Sequence, residues 1–430
     1  MKKSLLAVAA LTAFAGAAQA QSSVTVYGIL DVGVMGATNS GNLNSGSWGV
    51  SGAAPQADPN NGLKNGTVWG GMAGGESQSR LGFKGSEDLG GGTKAIFLLE
   101  TGFNPMTGSI ANSGLAGAKT TAGGNYGGSY GDTALQGQLF GRGAYAGLEG
   151  KYGTITAGRQ QNLMLDNIGG YDPVNAQMFS PLAYSGSYGG GGYTDESRVN
   201  QAFKYVYKTN GFNGNLLYAP GGIAGSSGTG ATQGAQLGYE TSKWGVQAIY
   251  SRTSDATSIS AATGANAVAV TLANTAATQI TAKYNVTDNF AIKAGFERMN
   301  VTAPSNFQQY SGMTSTVSGY SVASLTAFTG SDQKFNVYWV GGNYDLTPAI
   351  KLSLAYYSKS QLANGNVASG TQSIEAAMVE YYMSKRTNLY AAVSNGNYGG
   401  AIQIAPTAGA TITNTIGNAQ VYGLGMRHTF

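Results

Sequence analysis

Cysteine is absent from all 430 residues. No disulfide or thiolate metal site can form, and a chain without thiols suits export through an oxidising compartment. Charge is also scarce. Lys, Arg, Asp and Glu make up 10% of the residues, against roughly 25% in an average soluble domain. The formal net charge of +4 is too small for a strongly basic nucleic-acid-binding face, so nucleic acid is excluded as an expected partner. After the first twenty residues no apolar run is long enough for a membrane helix, and the mean hydropathy is −0.12. A closed barrel remains compatible with that value, because only half of each strand's side chains face lipid.

What is present is Gly, at 68 residues, more than twice the usual share of about 7%. The 26 Tyr outnumber Phe and Trp together, and apolar residues reach 42%. Residues 1–20 read as an export signal: Lys2 and Lys3, an apolar stretch from Leu5 to Ala15, and a small-x-small cleavage pattern at Ala18-Gln19-Ala20. Residues 21–430 are then one folded unit with a formal charge near +2, the two signal lysines being removed.

The hydrophobic pattern of that unit has a period of two. Val24, Val26, Leu30, Val32 and Val34 fall on one face, Thr25, Tyr27 and Asp31 on the other. Ile350, Leu352, Leu354 and Tyr356 oppose Lys351 and Ser353. Tyr422, Leu424, Met426, His428 and Phe430 oppose Gly423, Gly425, Arg427 and Thr429. Alternation of this kind sorts side chains onto the two faces of a strand.

About sixteen such segments occur: 24–34, 77–86, 93–102, 139–149, 153–160, 197–208, 212–220, 232–241, 243–252, 276–285, 289–300, 333–345, 349–358, 373–383, 387–395 and 420–430. Most approach the roughly 9–11 residues a tilted strand needs to cross a bilayer. The gaps between them alternate. Short ones carry turn chemistry, such as Asp88-Leu89-Gly90-Gly91, Asn210-Gly211 and Ser384-Lys385-Arg386; long ones include 35–76, 103–138, 161–196 and 301–332. Short turns on one rim and long loops on the other is the asymmetry of an outer-membrane barrel. The expected fold is therefore all-β, a transmembrane antiparallel barrel of about sixteen strands. An even count lets first and last strands close antiparallel, and a barrel of that size encloses water.

Several stretches resemble the general porin family of Gram-negative outer membranes, the β-proteobacterial type in particular. They are Ser23–Gly28, the run Ser79-Arg80-Leu81-Gly82-Phe83-Lys84-Gly85-Ser86-Glu87-Asp88-Leu89-Gly90 continued by Lys94–Glu100, Phe140-Gly141-Arg142 through Gly158-Arg159-Gln160, Ser384–Thr387, and Tyr422–Phe430. The resemblance implies a homotrimer of sixteen-stranded barrels, each with its third long loop folded into the lumen. It implies passive diffusion of small hydrophilic solutes, and recognition of the terminal Phe430 by the barrel-assembly machinery. Phe430 equally fits an interfacial aromatic role. Outer-membrane lipid and lipopolysaccharide are the expected surroundings.

The pore chemistry is expected on inward faces and on loop 161–196. If Leu81 and Phe83 face lipid, Arg80 and Lys84 point inward; if Phe203 and Tyr205 do, Arg198 and Lys204 point inward. Arg80, Arg142 and Arg198 each lie near the start of a strand descending from the long-loop rim. They would form a cationic ladder, opposed by Asp166 and Asp172 of the loop, and such charged rings set ion preference. The alternative for each arginine is an ordinary rim charge. Strict alternation puts Arg142 and Arg159 outward, so their inward placement requires a bulge. Asp31 and Glu100 are inward carboxylates, read either as filter groups or as partners of nearby cations. Tyr27, Trp244 and Tyr422 are expected as interfacial anchors.

The one histidine, His428, is expected on the outer face, where it can serve neither a Ser-His-Asp site nor a metal centre inside the lumen. No catalytic, metal or cofactor site is expected. A passive, weakly anion-preferring channel is the leading reading. A solute-specific channel, or an adhesin or receptor displayed on a barrel scaffold, are the alternatives.

Overall fold

In the computed structural model the described residues are 23–38, 67–106, 108, 110, 139–174, 179–183, 198–222, 224–254, 274–303, 305, 332–365, 369–400 and 418–430. The expected signal 1–20 lies outside them, as does most of the long-loop sequence.

The described chain is almost entirely strand: β1 (Ser23–Ala37), β2 (Val68–Ala73), β3 (Arg80–Gly90), β4 (Thr93–Gly102), β5 (Gly143–Gly150), β6 (Gly153–Gln161), β7 (Arg198–Thr209), β8 (Phe212–Ala219), β9 (Thr232–Glu240), β10 (Trp244–Thr253), β11 (Asn274–Thr287), β12 (Phe290–Thr302), β13 (Gln333–Thr347), β14 (Ile350–Leu362), β15 (Gly370–Tyr382), β16 (Thr387–Gly400) and β17 (Asn418–Thr429). Among the described residues one α-helix, α1 (Leu163–Tyr171), follows β6. All pairings are between antiparallel neighbours, and β1 meets β17 from Ile29–Thr429 to Ala37–Val421. The sheet thus closes and leaves no edge, which lipid could not hydrogen-bond.

Seventeen strands make sixteen staves. The first half of β1 pairs with β3 (Ser23–Ser86 to Ile29–Arg80), and its second half pairs with β2 (Val32–Ala73 to Ala37–Val68). β2 and β3 are therefore one stave, broken at residues 74–79. The sequence pattern placed 68–73 inside a long loop. Six residues with two glycines among them carry too little alternation to read as a strand, and only pairing with β1 defines them.

The walls are apolar outside and polar inside. In β8–β12 the buried positions include Asn213, Asn215, Gln236, Gln247, Gln279, Thr281 and Glu297, while Leu216, Leu237, Val246, Tyr250 and Ile280 are exposed. This inverts the soluble pattern, as expected where lipid is the outer solvent. The buried face is the lumen side, because α1 and the residues after it lie against it.

Two glycines let large inner side chains cross a stave. Gly82 stands between Tyr27 and Glu100 in one row; a Cβ there would lie 2.4 Å from the Tyr27 ring, so only Gly lets the phenol pass over to Glu100. Gly425 does the same under Tyr390, whose hydroxyl reaches Asp31.

Candidate functional site: the lumen wall and the inward loop

The chain after β6 turns into the lumen because Asn162 caps a short apolar helix: its side chain accepts from the Leu165 amide at 2.8 Å. Leu163, Met164, Ile168 and Tyr171 of α1 are buried, against the inner wall at β8–β12. Asn167 donates to Gln279 and Thr281 at 2.8 and 3.0 Å, and the Tyr171 hydroxyl accepts from Gln247 at 3.1 Å.

Residues 171–174 are then fixed to the next staves. Trp339 donates to the Tyr171 carbonyl at 3.1 Å, Lys293 to the Asp172 carbonyl at 3.0 Å and Asn343 to the Pro173 carbonyl at 2.6 Å. The Tyr357 hydroxyl donates to Asp172 Oδ1 at 2.5 Å. Further on, Phe179 reaches the inner side of β17 at Gly423. The loop thus follows the inner wall from β8 round to β17 and leaves β3–β7 uncovered by its described residues except at Lys204, which Asp166 reaches.

On that uncovered wall three guanidinium groups are gathered by shared acceptors. Arg80 Nε donates to the Gln78 carbonyl at 3.0 Å. Arg142 Nη1 donates to the Gln78 side chain, and its Nε pairs with Glu100 Oε1 at 2.7 Å. Arg198 Nε donates to the Arg142 carbonyl at 3.1 Å. Lys84 stands over the Tyr27 ring at 5.3 Å, and the Tyr27 hydroxyl donates to Glu100 Oε2 at 2.8 Å. Lys204 pairs with Asp166 at 2.5 Å and also donates to the Gln161 carbonyl.

The structure revises several expectations. Arg142 is re-aimed without a bulge: it precedes β5, which begins at Gly143, and so escapes that strand's parity. Arg159 is on the outer face, opposite Ala144 in a row-by-row pairing with no register shift. It binds the Gly141 carbonyl and Asn200, each at 2.7 Å, and takes no part in the arginine cluster. The bulge lies one stave on. Pairing jumps from Gly158–Ala202 to Gln160–Val199, and Gln201 has φ 54°. Alternation therefore does not carry from Lys204 to Arg198, which nevertheless is buried beside Arg142.

Asp172 does not confront the arginines. It is fully buried against β14, and burial holds its carboxyl above the usual range. Asp166 is in place on the loop but is neutralised by Lys204. Glu100 pairs with a nearby cation, Arg142, and Asp31 is bonded within the wall. Asp31 Oδ2 accepts from the Glu76 and Ser77 amides at 3.0 and 2.7 Å, and Oδ1 from Tyr390 at 2.6 Å; its partners are not the cations expected. Tyr27 is an inner-wall residue, not an interfacial anchor. Trp244 and Tyr422 remain on the outer face, Tyr422 in an edge contact with Trp69 at 4.8 Å. Phe430 exchanges two backbone hydrogen bonds with Gly28 where the barrel closes.

Sequence reasoning missed the break in the second stave. Residues 74–79 turn inward, and Glu76 pairs with Arg427 at 2.8 Å and accepts from Asn388 at 2.7 Å. Burial raises its carboxyl to about 7, with Arg427 opposing. Glu76, Arg427, Lys293, Lys351, Asn343 and Glu380 line a polar cavity of about 330 Å³. Arg427 was legible, since it alternates with the apolar face of the last strand. Glu76 was not, because it belongs to no periodic segment.

Closed wall, lipid-type exterior, polar lumen and inward loop define a transmembrane barrel of the outer-membrane channel type. A model of the Gram-negative porin family matches residues 7–401. The chain belongs to that family, which places it in the bacterial outer membrane. It is 39% identical over 177 residues to an outer-membrane porin of Bordetella pertussis, 41% of this chain and 38% of that protein. It is 34% identical over 223 residues to outer membrane porin protein 32 of Delftia acidovorans, 51% and 50% of the two chains. The matches thus span half or less of these curated relatives. The fold is shared with an anion-selective porin from Comamonas acidovorans at TM-score 0.62 and 19% identity, covering 95% of this chain and all of that one. It is also shared with OmpT of Vibrio cholerae at 0.57 and 14%, covering 95% and 98%.

Proposed function

We propose that the protein is a passive diffusion channel for small hydrophilic solutes and ions, with a mild preference for anions. The observation that carries the reading is the gathering of Arg80, Arg142 and Arg198 on the wall that the inward loop leaves uncovered. With Lys84 and Lys204 they set five cations against two carboxylates, Glu100 and Asp166. Guanidinium groups stay charged at any working pH, so the field is fixed, and in a narrow wet passage it raises the local anion concentration. Relatives named as porins, one an anion-selective porin, support it.

The same proposal covers the assembly. Residues 1–20 are a cleaved signal and 21–430 the barrel. Three copies associate, as in the trimer form of the structurally similar OmpT. The barrel sits among outer-membrane lipid and lipopolysaccharide, and Phe430 serves the assembly machinery. No reaction is assigned to it: His428 lies in the outward row and bonds Thr387 at 2.8 Å.

Purified protein in a planar bilayer under a salt gradient tests this. Stepwise conductance with a reversal potential favouring anions is expected. Silent membranes overturn the channel, and cation preference overturns the role given to the arginines. Saturable block by one solute class would recast it as a solute-specific channel. Loss of a cell-surface phenotype on loop deletion, with conductance intact, would favour an adhesin.

A further inference from the structure

The outer wall carries a charged patch that conduction does not use. In β10, Gly245, Gln247, Ile249, Ser251 and Thr253 are buried on the lumen side, so Arg252 faces outward. In β12, Glu297, Met299 and Val301 are buried, so Arg298 faces outward; in β13, Phe335, Val337 and Trp339 are buried, so Lys334 faces outward. Register places the three together. Arg252, Ala276, Asn300 and Lys334 form one continuous cross-strand row, and Arg298 lies in the next outward row with Asn336 and Thr278. Arg252 and Arg298 are separated by two strand spacings and two residues, about 12 Å between Cα atoms. Long side chains rooted that far apart can converge over the small Ala276 and Thr278.

Among the described residues no salt bridge includes any of the three, and Arg298 bonds only the Asn336 amide oxygen, at 3.3 Å. No Asp or Glu occupies an outward position within β9–β14 at this end; Asp332, exposed just before β13, shares the parity of Lys334 and makes no salt bridge with it. Toward the short-turn rim the wall becomes apolar: Tyr250 ends the row of Arg298, and Ala248, Ile280, Phe296 and Tyr338 form the next, the last two with ring centroids 5.0 Å apart. Charge in the hydrocarbon band is costly unless it reaches a polar partner. Three cations that no salt bridge among the described residues neutralises, just past an aromatic row and at the strand ends that carry the long loops, lie at headgroup depth of the outer leaflet.

We propose that Arg252, Arg298 and Lys334 form a binding site for the phosphates of an outer-leaflet lipid, the lipid A portion of lipopolysaccharide, with its acyl chains lying along the Tyr250–Phe296–Tyr338 surface. Guanidinium groups bind phosphate through paired, charge-assisted hydrogen bonds, and clustered basic residues beside a membrane recruit anionic headgroups. The site rests on the outer-membrane placement and on the long loops facing outward. It does not rest on conduction.

The test uses the folded full-length barrel and native mass spectrometry with added lipid A. The variant Arg252→Ala/Arg298→Ala/Lys334→Ala should bind bisphosphorylated lipid A at least tenfold more weakly than wild type. A charge-keeping variant, Arg252→Lys/Arg298→Lys/Lys334→Arg, should bind within threefold of it. Wild type should lose the same affinity for lipid A stripped of its phosphates. A pair of short-turn substitutions, Lys243→Ala/Lys385→Ala, should have no effect. Equal binding by the alanine variant, or by dephosphorylated lipid, overturns the site. Full competition by millimolar inorganic phosphate overturns the lipid as its ligand. The alanine variant should conduct like wild type, which shows that it folds. Absence of conductance in wild type would defeat the channel reading and leave this result standing.

Discussion

From β8 to β14 the inner wall is built mainly of amides, hydroxyls and aromatic donors that face another part of the same chain, with Lys283, Lys293, Lys351 and Lys359 interspersed with Glu240 and Glu297. From β3 to β7 it carries the clustered arginines with Lys84 and Lys204, and there the described part of the inward loop meets Lys204 through Asp166. On the first half, Gln247, Gln279, Trp339, Asn343 and Tyr357 are spent on α1 and residues 171–174. On the second, Gln78 and Glu100 hold guanidinium groups in place without neutralising all of them. A lumen of this kind separates two tasks. One half supplies polar groups that fix the loop, so that it narrows the passage at a defined place. The other half supplies the cluster of arginines.

The sharpest test of this division is Arg142→Ala. It leaves Glu100, largely buried, with Tyr27 as its remaining partner, and breaking a buried pair costs about 3–5 kcal/mol. Denaturant unfolding should show that loss, and the reversal potential should move toward cations. Retained stability with unchanged selectivity would break the comparison on its cationic side.

Tyr357→Phe probes the other half. It strips the buried Asp172 carboxyl of a hydroxyl donor, for about 1–3 kcal/mol, and single-channel conductance should rise as residues 171–174 loosen. The pH dependence has a definite sign. Burial raises the Asp172 carboxyl in the folded state, so its contribution is complete below the unfolded value and is lost as pH rises through the folded one. Asp172→Asn should remove that dependence, read by hydrogen exchange across α1.

Glu76 gives a smaller effect, in the region where the halves meet. Its carboxyl is raised to about 7, so lowering pH through that value protonates it and leaves Arg427 uncompensated. Anion preference should increase as pH falls through about 7, and Glu76→Gln should flatten the profile. The stability contribution of this group likewise fades as pH rises through that value. The least effect is expected from Lys84→Ala, an exposed lumen lysine. Stability should change by no more than about 0.5 kcal/mol, with a slight shift toward cations in the same bilayer recording. A large loss of stability would show that Lys84 is part of the scaffold.

The sequence by itself determined the barrel. Alternation is a local property, and each strand segment read from it corresponds to a stave, because lipid on one side and water on the other impose the same period on every strand. It also determined the outward positions of Trp244 and Tyr422 and the inward ones of Arg80 and Lys204. Only the tertiary structure decided the rest. Arg142 lies inward because its strand begins one residue later, and Arg159 outward because the bulge fell in β7. Asp172 was removed from the passage by Tyr357, nearly two hundred residues away in the chain. The inward break carrying Glu76 exists because Asp31, Asn388 and Arg427, from three different staves, hold it there. A period of two reports which solvent a side chain meets. It carries no information about which distant group will meet it, and at each of these positions that partner set the outcome.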